Sequence, residues 1–309
     1  MGLIWGIPYL FIKIAVEEVS PATLVFLRTA IAAALLAPVA IMSRGFARLL
    51  PRWRWLVVYT LIEVALPWFF LSDAERRISS SLAGLLIAAV PFVGALIAWL
   101  TSGDDAPDAR RVAGLVIGFL GVATLVGLDA SATDLGAVGE VALVVLGYAA
   151  GATVIARKLS DIPSVGVVVA SLGLTALAYA PLGIAQLPAQ VPTARALGAI
   201  ATLAVVCTAL AFMVFFALIA EVGAARATVI TYVNPAVALA LGVVVLREPL
   251  TLTIGIGFVL ILVGSVLATR RTAARGVARS LPRSAGGGER HARRTVRDRA
   301  PGATSDGGE

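Results

Sequence analysis

Residues 80–101 read SSLAGLLIAAVPFVGALIAWLT, a stretch without a single charged side chain. A helix needs about 20 mostly apolar residues to cross the hydrocarbon core of a bilayer, so this stretch predicts a transmembrane helix. The polar run from Gly103 to Pro107 follows it and predicts a turn. The same alternation of apolar run and short polar turn continues through most of the chain.

The composition points to a membrane protein as a whole. The 309 residues are 59% hydrophobic and only 14% charged, with a mean hydropathy of +0.95. A soluble domain carries about 25% charged residues. This small number of charges cannot form a water-soluble surface around a protein of this size. Lipid must therefore cover much of the protein surface. The composition therefore excludes a soluble globular protein.

Ten apolar segments are separated by turn-forming residues such as Glu17-Glu18 before Pro21. They predict an all-α integral membrane protein with ten transmembrane helices. The predicted spans are 2–18, 22–42, 53–72, 80–101, 111–128, 138–156, 164–184, 196–219, 225–246 and 251–269.

The excess of positive charge belongs to the C-terminal tail. Of the net charge of +7, residues 270–309 contribute ten Arg against four acidic residues. Few of these residues are apolar, so the segment cannot bury enough surface to fold, and we expect a disordered tail. Its charge fits a cytoplasmic flank touching anionic lipid better than a nucleic-acid partner.

The remaining basic residues predict the orientation. Lys and Arg in short loops accumulate on the cytoplasmic side. With the C-terminus inside, the inner loops hold nine of them and the outer loops four. Ten spans then place both termini in the cytoplasm. The bias of 23 Arg against 2 Lys suggests a GC-rich bacterial genome, so we expect the bacterial inner membrane.

The stretch from Ser81 to Pro91 has a counterpart from Ala225 to Pro235. In each case an apolar helix, an acidic turn and a glycine-marked helix follow. This similarity predicts two repeats, 1–128 and 138–269, followed by the tail at 270–309. Five helices in each repeat would give the halves opposite orientations, as in the inverted repeats of secondary transporters.

The order and spacing of several short motifs resemble the EamA family of the drug/metabolite transporter superfamily. The resemblance covers residues 1–269 and implies a ten-helix inverted-repeat fold that moves small metabolites, often outward, without ATP. The family's usual Gly-Glu after the fourth helix is Gly103-Asp104-Asp105 in this chain. The matching residues are Trp5-Gly6, Phe11-Ile12-Lys13, Arg28, the helix with Pro91, Tyr232-Val233-Asn234-Pro235 and Arg247-Glu248-Pro249-Leu250.

Three charged residues lie well inside predicted spans rather than near their ends: Lys13, Arg28 and Glu63. A charge at the centre of a membrane helix costs about 2.5–3.5 kcal/mol on insertion scales, so it must meet water, a partner or a substrate. We predict one cluster, in which Glu63 exchanges a coupling proton while Arg28 or Lys13 binds a substrate carboxylate. The alternative is a permanent buried ion pair, with Lys13 extending toward the membrane surface.

The second half offers polar groups instead of charges, among them Tyr232 and Asn234. Pro91 and Pro235 predict helix breaks, because proline donates no backbone hydrogen bond and its ring crowds the carbonyl four residues back. The freed carbonyls would be those of Ile87 and Thr231. Asn234 would either bind substrate or repair the break. The aromatic residues Trp5, Tyr9 and Trp68 either line the cavity or pack within the core or against lipid.

Two other functions compete with transport. An enzyme would need a nucleophile, base or metal set at membrane depth, but the single histidine, His291, lies in the tail and Cys207 stands alone. No motif indicates a metal or another cofactor. A channel would need rings of charge or a repeated filter sequence, and neither is present. We expect a small-molecule substrate; amino acids, other carboxylates, amphipathic drugs and sugars all remain open, and Arg28 favours one that carries a carboxylate. A homodimer remains open, since no residue argues for one.

Overall fold

The computed structural model describes residues 1–42, 46–102, 109–127, 134–222 and 232–269, and all of them belong to one compact unit, Met1–Arg270. These residues form helices and no strand, as the composition predicts. The predicted disordered tail, the Gly103-Asp104-Asp105 turn and Thr231 lie outside the described residues.

Ten apolar helices account for most of the described chain. They are α1 Gly2–Ala15, α2 Pro21–Met42, α3 Leu50–Arg77, α4 Ser80–Thr101, α5 Ala109–Gly127, α6 Leu135–Lys158, α7 Ser164–Ala185, α8 Ala194–Glu221, α9 Asn234–Val245 and α10 Leu252–Thr269. In this part of the chain, eight are long and apolar enough to cross a membrane, while α1 and α9 are shorter. A short helix, Phe46–Leu49, precedes α3.

One predicted boundary is wrong in a way that matters for the site. The third span was expected to end at residue 72, but α3 continues to Arg77. Three charges crowd its last turn, Glu75, Arg76 and Arg77, which is why the sequence reads as a loop there. The extra turn places Glu75 inside the protein.

Side chains on the preceding residues fix the starts of several helices. A helix leaves its first backbone N–H groups without partners, and a Ser, Thr or Asp at the N-cap accepts from one of them. Ser79 Oγ accepts from Leu82 N, and Asp134 Oδ1 accepts from Ala137 N at 3.0 Å. Thr193 plays the same role for α8.

The helices pack in pairs that join the first five to the last five. Helix α2 packs on α7, α4 on α9, and α5 on α10, while α3 packs on α6 and α1 on α8. The contact of α5 with α10 is close because glycines face each other: a Cβ on Gly264 would lie 2.7 Å from the Gly114 carbonyl oxygen. Small residues of this kind allow membrane helices to approach closely.

Four helices depart from regular α geometry near their middle. Helix α1 is interrupted at Ile7, and α4 at Ala88-Ala89. Helices α3 and α8 each contain a π-helical segment, Thr60–Ala65 and Val205–Leu210. In α3 the cause is local, since Pro67 has no N–H for the carbonyl of Glu63. Such π segments are frequent at functional sites.

Candidate functional site

Arg28 lies in the interior, on α2, with only 8% of its surface exposed. Its Nε donates a hydrogen bond to Thr208 Oγ1 on α8 at 2.9 Å. Its guanidinium carbon stands 3.8 Å from the ring centroid of Trp68 on α3, a cation–π geometry. The first and second halves of the chain therefore hold this cation together.

Other polar groups surround the guanidinium. Tyr9, Tyr148, Cys207 and Glu75 all interact with it electrostatically. The bond from Nε to Thr208 is the only hydrogen bond that the Arg28 side chain forms with the described residues. Its two terminal nitrogens therefore have no hydrogen-bond partner among them. Arg28 therefore has unused donors that face a mainly aromatic and polar surrounding.

Glu75 is the buried charge that the sequence reasoning missed. It is fully buried, and neither carboxyl oxygen has a hydrogen-bond partner within the described residues. The periodicity of α3 could have found it, because Trp68, Leu71, Ser72 and Glu75 follow the spacing of one helix face, and all four are buried.

Lys13 bonds to the end of α3 rather than to a carboxylate. Its Nζ donates to the backbone oxygens of Glu75, at 2.5 Å, and Ile78, at 2.9 Å. These are carbonyls that a helix end leaves without partners. Lys13 also lines an open cavity of about 260 Å³ together with Glu17, Arg195, Arg247 and Glu248.

Glu63 forms no ion pair with Lys13 or Arg28, and the predicted single cluster of the three charges stays a prediction. It lies in the π segment of α3, against Gly151 of α6, and among the described residues it forms no ion pair. Tyr148 interacts electrostatically with both Glu63 and Arg28. Lys13 and Arg28 instead each interact with Glu75.

The remaining sequence candidates fall in different places. Trp5 packs against Phe212 and Phe215 of α8, with ring centroids 6.0 and 4.7 Å apart, whereas Tyr9 and Trp68 belong to the surroundings of Arg28. Tyr232 shares a hydrogen bond of 2.6 Å with Thr269, at the end of α10. Asn234 begins α9.

The two predicted proline breaks differ. Just before Pro91 the helix is interrupted at Ala88-Ala89, and the Ala88 carbonyl accepts a hydrogen bond from Ser265 Oγ at 3.1 Å. The freeing of the Ile87 carbonyl by Pro91 stays a prediction. Among the residues that the structure describes, Pro235 lies in the first turn of α9 and not in the middle of a helix. Its expected effect on Thr231 falls outside the described residues.

Glu248 contributes a contact that the sequence reasoning did not assign. Its Oε1 accepts from Ser80 N at 2.7 Å and its Oε2 from Ser81 N at 2.9 Å. A carboxylate is favoured there by the positive end of the helix dipole. Arg247 adopts a left-handed conformation, φ 57°, at the turn that carries Glu248 to α4.

No group of three or more His, Cys, Asp or Glu side chains could hold a metal ion in the part of the chain that the structure describes. The polar interior consists instead of an arginine, a lysine, carboxylates, hydroxyls and aromatic rings enclosed by apolar helices. The described helices, eight of which are long and apolar enough to cross a membrane, thus enclose a polar interior.

Comparison with known proteins specifies the class further. The EamA-like transporter family matches residues 1–127 and 137–270, so the chain belongs to this family, as its motifs suggested. The uncharacterized transporter YvbV of Bacillus subtilis is 24% identical over 282 residues, covering 88% of this chain and 90% of the relative. An uncharacterized transporter of Archaeoglobus fulgidus is 27% identical over 278 residues, covering 86% and 95%.

The fold is shared with a solved structure. A protein of known crystal structure superposes with a TM-score of 0.62 at 22% identity, over 87% of this chain and 93% of its own length. At this identity the likeness concerns the fold alone.

Proposed function

We propose that this protein is a secondary transporter that carries a small carboxylate-bearing molecule across the bacterial inner membrane by alternating access. The observation that carries the proposal is Arg28, a buried cation whose contacts come from both halves of the chain. A charge inside a membrane protein marks a functional site by default, because it is costly without a partner.

The substrate class follows from the chemistry of Arg28. A guanidinium presents a planar fork of donors that matches a carboxylate in a bidentate arrangement. Thr208 accepts from Nε only, so the terminal nitrogens remain for a ligand. Tyr9, Trp68 and Tyr148 would surround the rest of a small molecule.

The architecture supports alternating access between two inverted repeats. The pairs α2 with α7, α4 with α9 and α5 with α10 each join equivalent helices of two five-helix halves. Exchanging the two halves turns the pair α3–α6 into the pair α8–α1, so these two pairs are equivalent to each other. The π segments start at Thr60 and Val205, in the equivalent helices α3 and α8. Sites between such repeats lie near the midplane.

Direction and orientation complete the proposal. The family resemblance favours outward movement, and the loop charges favour cytoplasmic termini. A channel or a membrane-embedded enzyme is the competing function. The relatives from Bacillus subtilis and Archaeoglobus fulgidus are both named transporters, which favours a carrier over a channel or an enzyme.

The test is a ligand screen followed by a transport assay. Purified protein in detergent is screened with small carboxylates, with neutral analogues as controls, for an increase in the melting temperature. Hits are then tested for counterflow in proteoliposomes. Saturable counterflow of a carboxylate supports the proposal. Leakage of protons without any substrate, or turnover of a hit into another compound, contradicts it.

A further inference from the structure

Two carboxylates lie inside the helix bundle, Glu63 and Glu75, and they differ in their surroundings. Glu75 has no exposed surface, and both of its carboxyl oxygens lack partners among the described residues. Glu63 is partly exposed, and one of its oxygens, Oε2, is buried without a partner. An ionised carboxylate that is buried without a hydrogen bond is very costly, so Glu75 needs a proton or a cation.

The charged groups around Glu75 come from several elements. Lys13 and Tyr9 face it from α1, Arg28 from α2, and Glu248 from the turn after α9. On the same helix as Glu75, Arg77 forms ion pairs with Asp73, Asp134 and Glu140. The charges of these three carboxylates are therefore paired with Arg77. Glu75 thus interacts electrostatically both with Lys13, which lines an open cavity, and with the buried Arg28.

We propose that Glu75 is the proton-binding group of this transporter and that an anion bound to Arg28 favours its protonation. This inference rests on the proposed function, because it assigns a coupling role to a neighbour of the substrate site. An anion that neutralises Arg28 removes a positive charge that stabilises ionised Glu75. The Glu75 carboxylate then accepts a proton that comes ultimately from the aqueous phase, and the O–H bond formed breaks again when the anion leaves.

This linkage moves the anion and the proton in the same direction. Outward transport would then be driven by a substrate gradient that exceeds the opposing proton gradient. The same linkage is reciprocal, so a lower pH tightens the binding of the carboxylate.

The first experiment needs no substrate. Infrared difference spectra of the protein in lipid nanodiscs are recorded during a pH titration, and the carbonyl stretch of a protonated carboxylic acid is followed. We expect a titrating band in the wild type that disappears in Glu75→Gln and persists in Glu75→Asp and Glu140→Gln. A melting temperature near that of the wild type checks that Glu75→Gln folds.

The opposite results are equally clear. A wild-type protein with no titrating band overturns the inference, as does a band that is lost in Glu63→Gln and kept in Glu75→Gln. Counterflow separates this failure from that of the proposed function. A wild type that shows the Glu75 band but no counterflow of any screened carboxylate refutes carrier function alone.

The second experiment measures coupling. With a carboxylate from the thermal screen, we expect wild-type proteoliposomes to accumulate substrate in response to a proton gradient. Glu75→Gln should lose that accumulation but retain counterflow, because exchange requires no net proton movement. Gradient-driven accumulation that persists in Glu75→Gln contradicts the inference.

Discussion

Thr208 Oγ1 accepts a hydrogen bond from Arg28 Nε at 2.9 Å and donates its own to the Leu203 carbonyl at 2.7 Å. The acceptor lies five residues back, within the irregular middle of α8. One hydroxyl therefore both holds the buried cation and satisfies a carbonyl at the π segment.

Replacing Thr208 by valine removes both bonds at nearly constant size. Hydrogen bonds to charged groups contribute about 1.5–3 kcal/mol, so we expect a lower melting temperature and weaker binding of the carboxylate hit. Thr208→Ser keeps the hydroxyl and should stay near the wild type. Equal behaviour of the valine and serine variants in a thermal-shift titration would show that the bond does not position Arg28.

The carboxylate of Glu248 joins the turn after α9 to the first turn of α4. Loss of a helix cap costs about 0.5–2 kcal/mol, so we expect Glu248→Ala to melt at a lower temperature. Glu248→Gln keeps one acceptor and should lose less. The measurement is thermal unfolding in a fixed detergent.

Ser79→Ala is the matched control for Glu248, since Ser79 caps the same helix from within the first half. It removes a local cap without cutting the connection between halves. We expect only Glu248→Ala to change counterflow as well as stability. A counterflow rate unchanged in Glu248→Ala would restrict Glu248 to local capping.

Gly147 and Gly151 let α6 approach the π segment of α3. A Cβ at residue 147 would collide with the backbone oxygen of Ile62 and lie 3.1 Å from Pro67, and one at residue 151 would lie 3.0 Å from the Cβ of Glu63. Overpacking costs about 1–3 kcal/mol, so we expect Gly147→Ala to lower the melting temperature.

Gly139→Ala provides the comparison, because the same helix has open space at that position. Alanine is favoured over glycine in a helix by about 0.5–1 kcal/mol, so this variant should melt at or above the wild-type temperature. If both variants melt alike, close approach at Gly147 is not required for the packing of α6 on α3.

Outside the membrane, Glu18 accepts hydrogen bonds from Thr193 N at 2.7 Å and Thr193 Oγ1 at 2.5 Å. These bonds hold the pKa of Glu18 below its ordinary value. A carboxyl group whose pKa is lower in the folded than in the unfolded protein stabilises the fold in its ionised form. This contribution to the free energy of unfolding is complete above the unfolded pKa and is lost as the pH falls through the folded pKa.

The corresponding prediction concerns Thr193→Val, which removes the hydroxyl. We expect it to melt below the wild type at neutral pH, with the difference shrinking once the pH falls well below the ordinary pKa of a glutamate. A melting difference that is constant from neutral to strongly acidic pH would mean that the ionised carboxylate of Glu18 contributes nothing to this contact.

The sequence predicted the helices well because lipid imposes a simple rule. Each span must be long and apolar, so hydropathy alone placed α2 and α4 close to their observed bounds. Lys13 and Arg28 were found for the same reason, as charges are rare and costly in such spans.

Other features depend on contacts between distant segments. Glu75 stands beside Arg76 and Arg77, so local charge density favoured a loop, and only the helix face shared with Trp68 indicates burial. The π segment of α8 contains no proline, and no residue of its sequence VVCTAL marks its position. The contact of Glu63 with Gly151 likewise depends on which helices pack together.

The most direct test of a carrier built around Arg28 uses the only cysteine of the chain, Cys207, which is buried and interacts with the guanidinium. A membrane-impermeant thiol reagent is applied to right-side-out and to inside-out vesicles, with Cys207→Ala as the control. Alternating access predicts labelling of Cys207 from both sides, slowed by the carboxylate hit. No labelling from either side, or labelling from one side alone under all conditions, would contradict it.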